Sequence, residues 1–195
     1  MKFSITVLAI GAGVALSAPT SSALQLAERQ AKACFVIGNT VLPQEVADSV
    51  TGIQSRISCN AAKKTLSNVP DVSSGGVSFS SVNFATSSQT PLQFGLTKFA
   101  TKSPLASNNL ATFQAQLDVY LATEAGIRSV GGNLAIKVPK FLLEFQISRI
   151  QTAQGTPPTA AGLQVDHLRD KVLKNAARES KALLDQVTAL AKVLK

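Results

Sequence analysis

Two cysteines, Cys34 and Cys59, and the compartment they are headed for set the tightest limit on this fold. Met1, Lys2 and Phe3 give a short positive start, and "ITVLAIGAGVAL" then runs apolar from Ile5 to Leu16. A membrane span needs about 20 such residues, so the run is too short and suits the core of a cleavable signal peptide. Cleavage after Ala23 is favoured, because Ser21 completes a small-x-small pattern; the other point, Ala18, has bulky Leu16 at −3. Residues 1–23 are thus expected to leave, and the mature chain to be extracellular, free or held at the cell wall. In that oxidising compartment an even pair of cysteines predicts one disulfide, Cys34–Cys59. Closing a loop of about 26 residues stabilises by roughly 3–4 kcal/mol through restriction of the unfolded chain. A metal site would want more ligands, and a catalytic thiol a base within reach.

Residues 24–195 are expected to form a single globular domain. At about 170 residues it buries around 70% of its unfolded surface. With 45% hydrophobic and 15% charged residues it is too apolar for disorder. There is no Trp and one Tyr, but nine Phe, all except Phe3 beyond the leader. That balance predicts a Phe-rich core rather than a sugar-stacking surface. The net charge of +8 includes Lys2 of the leader. The remainder attracts anionic lipid headgroups or acidic polysaccharide. It is diffuse, densest at Lys63–Lys64 and at Lys137 with Lys140, and no motif supports nucleic-acid binding. Charges or turn residues interrupt every later apolar run, so no transmembrane segment is expected. No Asn opens an N-x-Ser/Thr sequon; Thr86 to Pro91 and Thr152 to Thr159 are the places for O-linked sugar.

The apolar spacing predicts about four helices and one short β-hairpin. The first helix runs from about Val41 to Ser58, with Pro43 in its first turn and Val46, Val50, Ile53 and Ile57 on one face. Cys59 would tie its end to a strand-like "CFVIG". "NVPDVSSGG" reads as a turn cluster. Val77 to Phe84 and Leu92 to Leu96 nearly alternate and read as two strands, although "PLQFGLTKFA" also suits a helical turn. A second helix begins near Ser103 or Ser107 and stops at Gly126, carrying Leu110, Phe113, Leu117 and Leu121. Pro139 opens a third, apolar on most of its circumference and hence central. The last, about 160–194, is a long amphipathic helix with Asp170–Lys174 and Lys181–Asp185 as surface pairs. It is expected to pack on its own domain in a monomer rather than form a coiled-coil dimer.

No catalytic constellation is found. His167 is the single histidine, set between Asp166 and Leu168 in a charged helix, and reads as a solvated surface residue. G-x-S-x-G is absent, and Asp166, His167 and Asp170 lack a further metal ligand elsewhere. Glycoside hydrolysis wants two facing carboxylates, and Asp71, Asp118, Glu124 and Glu144 show no local pairing pattern. Glu124 with Arg128 reads as a helix-end ion pair. The glycines from Gly126 to Gly132 lack the Lys-Ser/Thr of a phosphate loop. No cofactor is expected.

The leader "MKFSITVLAIGAG…SAPTSSALQLAERQAKAC", with Ala-Pro-Thr and Glu-Arg-Gln ahead of the first cysteine, resembles those of small secreted proteins of filamentous ascomycete fungi. "YLATEAGIRSVGG" and "IKVPKFLLEFQ" are similar to segments of uncharacterised members of that group. The resemblance implies a fungal, extracellular, non-enzymatic protein and brings no site residues. The expected function is a secreted non-catalytic interaction protein, effector-like or acting at the fungal surface on a host or cell-wall partner. The alternatives are a binder of lipid or an amphipathic surface, and a small hydrolase of unfamiliar type.

Overall fold

The computed structural model describes residues 33–195, so the leader and both cleavage points lie outside the described residues. Within them the chain forms α1 (Gln44–Ile53), β1 (Ser58–Lys64), β2 (Pro70–Ser74), β3 (Val77–Ser78), α2 (Pro91–Lys98), α3 (Leu110–Ser129), α4 (Lys137–Ala153), α5 (Val165–Asn175) and α6 (Lys181–Leu190). The helix-rich α+β class holds, with six described α-helices in place of about four. The small sheet is antiparallel with β2 in the middle.

α1 starts where the Pro43 carbonyl accepts from the N–H groups of Val46 and Ala47, and Glu45 in its first turn suits the positive end of the helix. Val46, Val50 and Ile53 are buried, as their spacing predicts. The helix ends at Ile53 rather than Ser58, and a 3₁₀ turn leads into β1. Cys59 therefore lies on a strand, and "CFVIG" is bend and turn rather than strand. The disulfide Cys34–Cys59 is formed. It secures the turn that sinks Phe35 fully into the core.

The predicted turn cluster is instead the central strand β2. Its buried polar groups are satisfied: Asp71 accepts from the Ser80 N–H at 2.9 Å and pairs with Lys63 at 3.2 Å. Burial pushes the Asp71 carboxyl up, but Ser80 and Lys63 outweigh it and hold it below the usual range. Gly75 and Gly76, with φ of 52° and 79°, turn the chain into β3. The expected hairpin between Val77–Phe84 and Leu92–Leu96 does not form. Two 3₁₀ turns follow β3, and Leu92 to Leu96 lie in α2, capped by Thr90 Oγ1 accepting from the Gln93 N–H.

α3 is capped by Asn109, whose side chain accepts from the Thr112 N–H, so neither Ser103 nor Ser107 starts it. Nor does Gly126 stop it. A Cβ there would lie 2.6 Å from the Phe35 carbonyl oxygen and 2.7 Å from the Val69 methyls, so glycine is what lets the chain pack this closely. All eight Phe beyond the leader are buried. Phe79 and Phe99 meet Tyr120 edge-on at 5.2 and 5.7 Å, and the Tyr120 hydroxyl donates to the Val82 carbonyl. α4 is buried nearly all round, as expected.

The long C-terminal helix is two helices. The chain turns between Asn175 and Ser180, and Glu179 Oε1 there accepts from the Leu92 N–H, an orphan donor at the start of α2. Breaking here lets Leu168 and Val172 of α5 and Val187 of α6 share one apolar cluster with Phe141, Leu142 and Phe145 of α4. Lys181 pairs with Asp185 as expected, whereas Asp170 pairs with Arg169 rather than Lys174. Among the described residues no helix is long and apolar enough to cross a membrane.

Candidate functional site

A cleft of about 510 Å³ opens between α1, α3, α4 and the segment from Pro158 to Leu168. Ile53 of α1, Leu117 and Leu121 of α3, Ile147 of α4, Leu163 and Leu168 make its apolar walls. At one end Asp118 receives Arg56 Nε at 3.0 Å and Nη2 at 2.9 Å, a two-pronged ion pair, and also accepts from Ser74 Oγ. The Asp118 hydrogen bond raises the Arg56 pKa above its ordinary value. Glu144 and Ser148, one turn apart on α4, line the same cleft. Ser148 is 1% exposed, and its Oγ has no hydrogen-bond partner among the described residues. Burial pushes the Glu144 carboxyl above the usual carboxylate range, although Lys140 pulls it the other way from 3.9 Å. Beside the Arg56–Asp118 pair, Gln114 and Gln151, the cleft thus holds a hydroxyl with free bonding capacity and a carboxyl that burial shifts upward.

A family model described as a domain of unknown function (DUF7143) matches residues 36–195. The chain belongs to that family. No curated protein and no solved structure matches it. The whole cleft and Cys59 fall within the DUF7143 span, while Cys34 stands just ahead of it.

A second hollow of about 250 Å³ in the DUF7143 domain shares Leu121, Glu144 and Leu163 with the cleft. It is built on charges. Lys140 Nζ meets Glu124 Oε2 at 2.8 Å and sits 4.2 Å from the Phe141 ring centroid, while Arg128 Nη2 meets Glu124 Oε1 at 2.8 Å. Burial raises the Glu124 carboxyl, but Lys140 and Arg128 outweigh it and hold it below the usual range. The expected Glu124–Arg128 pair is thus present, and Lys140 is its buried third member rather than half of a basic patch with Lys137. Of the carboxylates weighed in the sequence, Glu124 and Glu144 converge on Lys140, whereas Asp118 is taken by Arg56 and Asp71 by Lys63. His167 is exposed on α5, flanked by Asp166 and Asp170, which both pair with Arg169. Among the described residues no group of three or more His, Cys, Asp or Glu could hold a metal. Sequence reasoning passed over Arg56, Ser148 and Arg149. The one available signal was polar side chains inside the otherwise apolar "FLLEFQISRI".

Proposed function

We propose that this chain is an exported, non-catalytic binding protein of fungal origin, and that it holds a small amphiphilic molecule in the cleft between α1, α3 and α4. The observation that carries the reading is a cleft of about 510 Å³ with apolar walls, the Arg56–Asp118 pair at one end, and Glu144, Ser148 and Gln151 along α4. A volume of that order, with apolar walls and convergent polar groups, is what small-molecule sites have. The leader and the disulfide support export. The chemistry of the cleft supports binding over hydrolysis. The Ser148 hydroxyl has no base hydrogen-bonded to it, and the Asp118 carboxylate is committed to Arg56 and Ser74. With the apolar faces of α5 and α6 folded onto α4, the cleft is the apolar surface left open to such a molecule.

Native mass spectrometry of the protein secreted by a fungal host, followed by its denatured mass, tests this. A native mass higher by a lipid-sized increment supports the proposal, as does its loss in Leu163→Arg, a change at a half-exposed wall position. Equal native and denatured masses, together with no uptake of fatty acid or sterol by the delipidated protein, would remove it.

A further inference from the structure

Among the described residues each buried charge has its counter-charge within 4 Å, except one. Asp71 has Lys63, Asp118 has Arg56, and Glu124 and Lys140 have each other. Arg149 of α4, 1% exposed, has none among the described residues. Its Nη1 donates to Thr101 Oγ1 and Gln146 Oε1, and its Nη2 to the Val193 carbonyl at 2.9 Å, all uncharged acceptors. A guanidinium carries five N–H bonds, so Nε and one Nη2 proton remain, and Nε is buried without a partner. Nε and Nη2 form the edge with which Arg56 clasps the Asp118 carboxylate. Burial lowers the Arg149 pKa to about 10, which leaves it cationic at neutral pH. A buried charge with no counter-charge is strongly destabilising, so an anion from outside is the natural complement.

Arg149 lines a hollow of about 170 Å³ between the loop after α2 and the turn after α6. Lys102 and Lys195 bring two further cations to it, Thr101 and Ser103 bring hydroxyls, and no acidic side chain lines it. We propose that this hollow is a phosphate-binding site, where the free edge of Arg149 and the ammonium groups of Lys102 and Lys195 hold the oxyanion and the two hydroxyls complete its shell. Phosphate fits better than carboxylate. A phosphate carries a charge of about −1.5 to −2 near pH 7 and has three or more acceptor oxygens, against donors from three basic side chains and two hydroxyls here. A carboxylate has two acceptor oxygens and would leave more of these donors unpaired. The oxyanion arrives either free or as the phosphomonoester head of a lipid. The site is separate from the cleft and stands whether or not the cleft binds an amphiphile.

The test uses the protein labelled with ¹⁵N-arginine, with Arg149→Lys identifying the Arg149 Nε–H signal. Titration with orthophosphate at constant ionic strength is expected to move that signal, and calorimetry to give a matching affinity. Lys102 and Lys195 are exposed, so Lys102→Gln/Lys195→Gln folds; it is expected to weaken phosphate binding at least about tenfold. Vesicles of phosphatidic acid in phosphatidylcholine separate the sources. Retention that free phosphate competes away identifies the lipid head, and phosphate binding without retention identifies the free ion. An Arg149 signal that ignores phosphate, or equal affinity in the double variant, overturns the proposal.

Discussion

Replacing Glu124 by Gln tests how the two halves of the DUF7143 domain are tied together across α3 and α4. Glu124 is 2% exposed and takes Arg128 on one oxygen and Lys140 on the other, each at 2.8 Å. Gln keeps the acceptor facing Arg128, and Arg128, less deeply buried, can turn to solvent. At Lys140 the amide offers a donor to a donor, and Lys140, 8% exposed, is left with Glu144 at 3.9 Å. Breaking a buried pair by removing one partner costs about 3–5 kcal/mol. In a domain of this size each kcal/mol shifts Tm by about 2–4 °C, so Glu124→Gln is expected to melt about 10 °C lower. Lys140→Met leaves Glu124 with Arg128 and a flexible apolar chain over Phe141, and should cost only about 1 kcal/mol. The double variant has no stranded charge. Urea unfolding of all four proteins near neutral pH completes a double-mutant cycle, and a coupling of at least about 2 kcal/mol is expected. The acid arm has a definite sign. The folded-state pKa of Glu124 is depressed, so its contribution is present above the unfolded value and is lost as pH falls through the folded one. The deficit of the variant should therefore shrink in acid. If the two substitutions simply add, the three charges are solvent-screened neighbours and the argument fails.

Three further outcomes are expected. Gly126→Ala should destabilise by about 2 kcal/mol in urea titration despite the better helix propensity of Ala, because its methyl meets the Phe35 carbonyl and Val69; a gain in stability would refute the close packing. Cys34→Ser/Cys59→Ser should lose about 3–4 kcal/mol, read by denaturant unfolding without reductant, and reduction of the wild type should reproduce the loss. Burial raises the Glu144 carboxyl against the pull of Lys140, so its contribution is present below the unfolded pKa of about 4.3 and is lost as pH rises through the folded value. Glu144→Gln should accordingly raise Tm near neutral pH and leave it almost unchanged near pH 4; an equal effect at both pH values would remove the desolvation argument.

Which parts of the fold were legible depended on how many neighbours each element has. α1, though shorter at both ends than expected, and α4 were recognised as helices because one has a single apolar face and the other is apolar nearly all round, and both patterns are clear at a period of 3.6. α2 misled because it is wedged between two cores. Phe94 faces the cluster around Tyr120, while Leu92 and Leu96 face the cluster around Leu142, so three apolar residues at every second position mimic a strand. β1 gave no signal, since its side chains are mostly exposed and its role is to pair with β2. β2 read as a turn because two of its buried residues, Asp71 and Ser74, are polar and find their partners on Lys63, Ser80 and Asp118. The C-terminal break was invisible for the same kind of reason. The break sets Glu179 against the Leu92 N–H, 87 residues away in sequence.

The charges on α4 carry that lesson furthest. Lys140, Glu144 and Arg149 stand in one helix whose other positions are mostly buried, so sequence alone could show that three ionisable groups would enter the interior. It could not show that Lys140 would find Glu124 and that Arg149 would find no acid, because the difference lies in α3 and in the loops around Thr101 and Val193. A helix buried on every side keeps a charge only where its surroundings answer it. For Lys140 the protein supplies that answer itself; for Arg149 it supplies only uncharged acceptors, which is why an anion from outside is the proposed completion of the site.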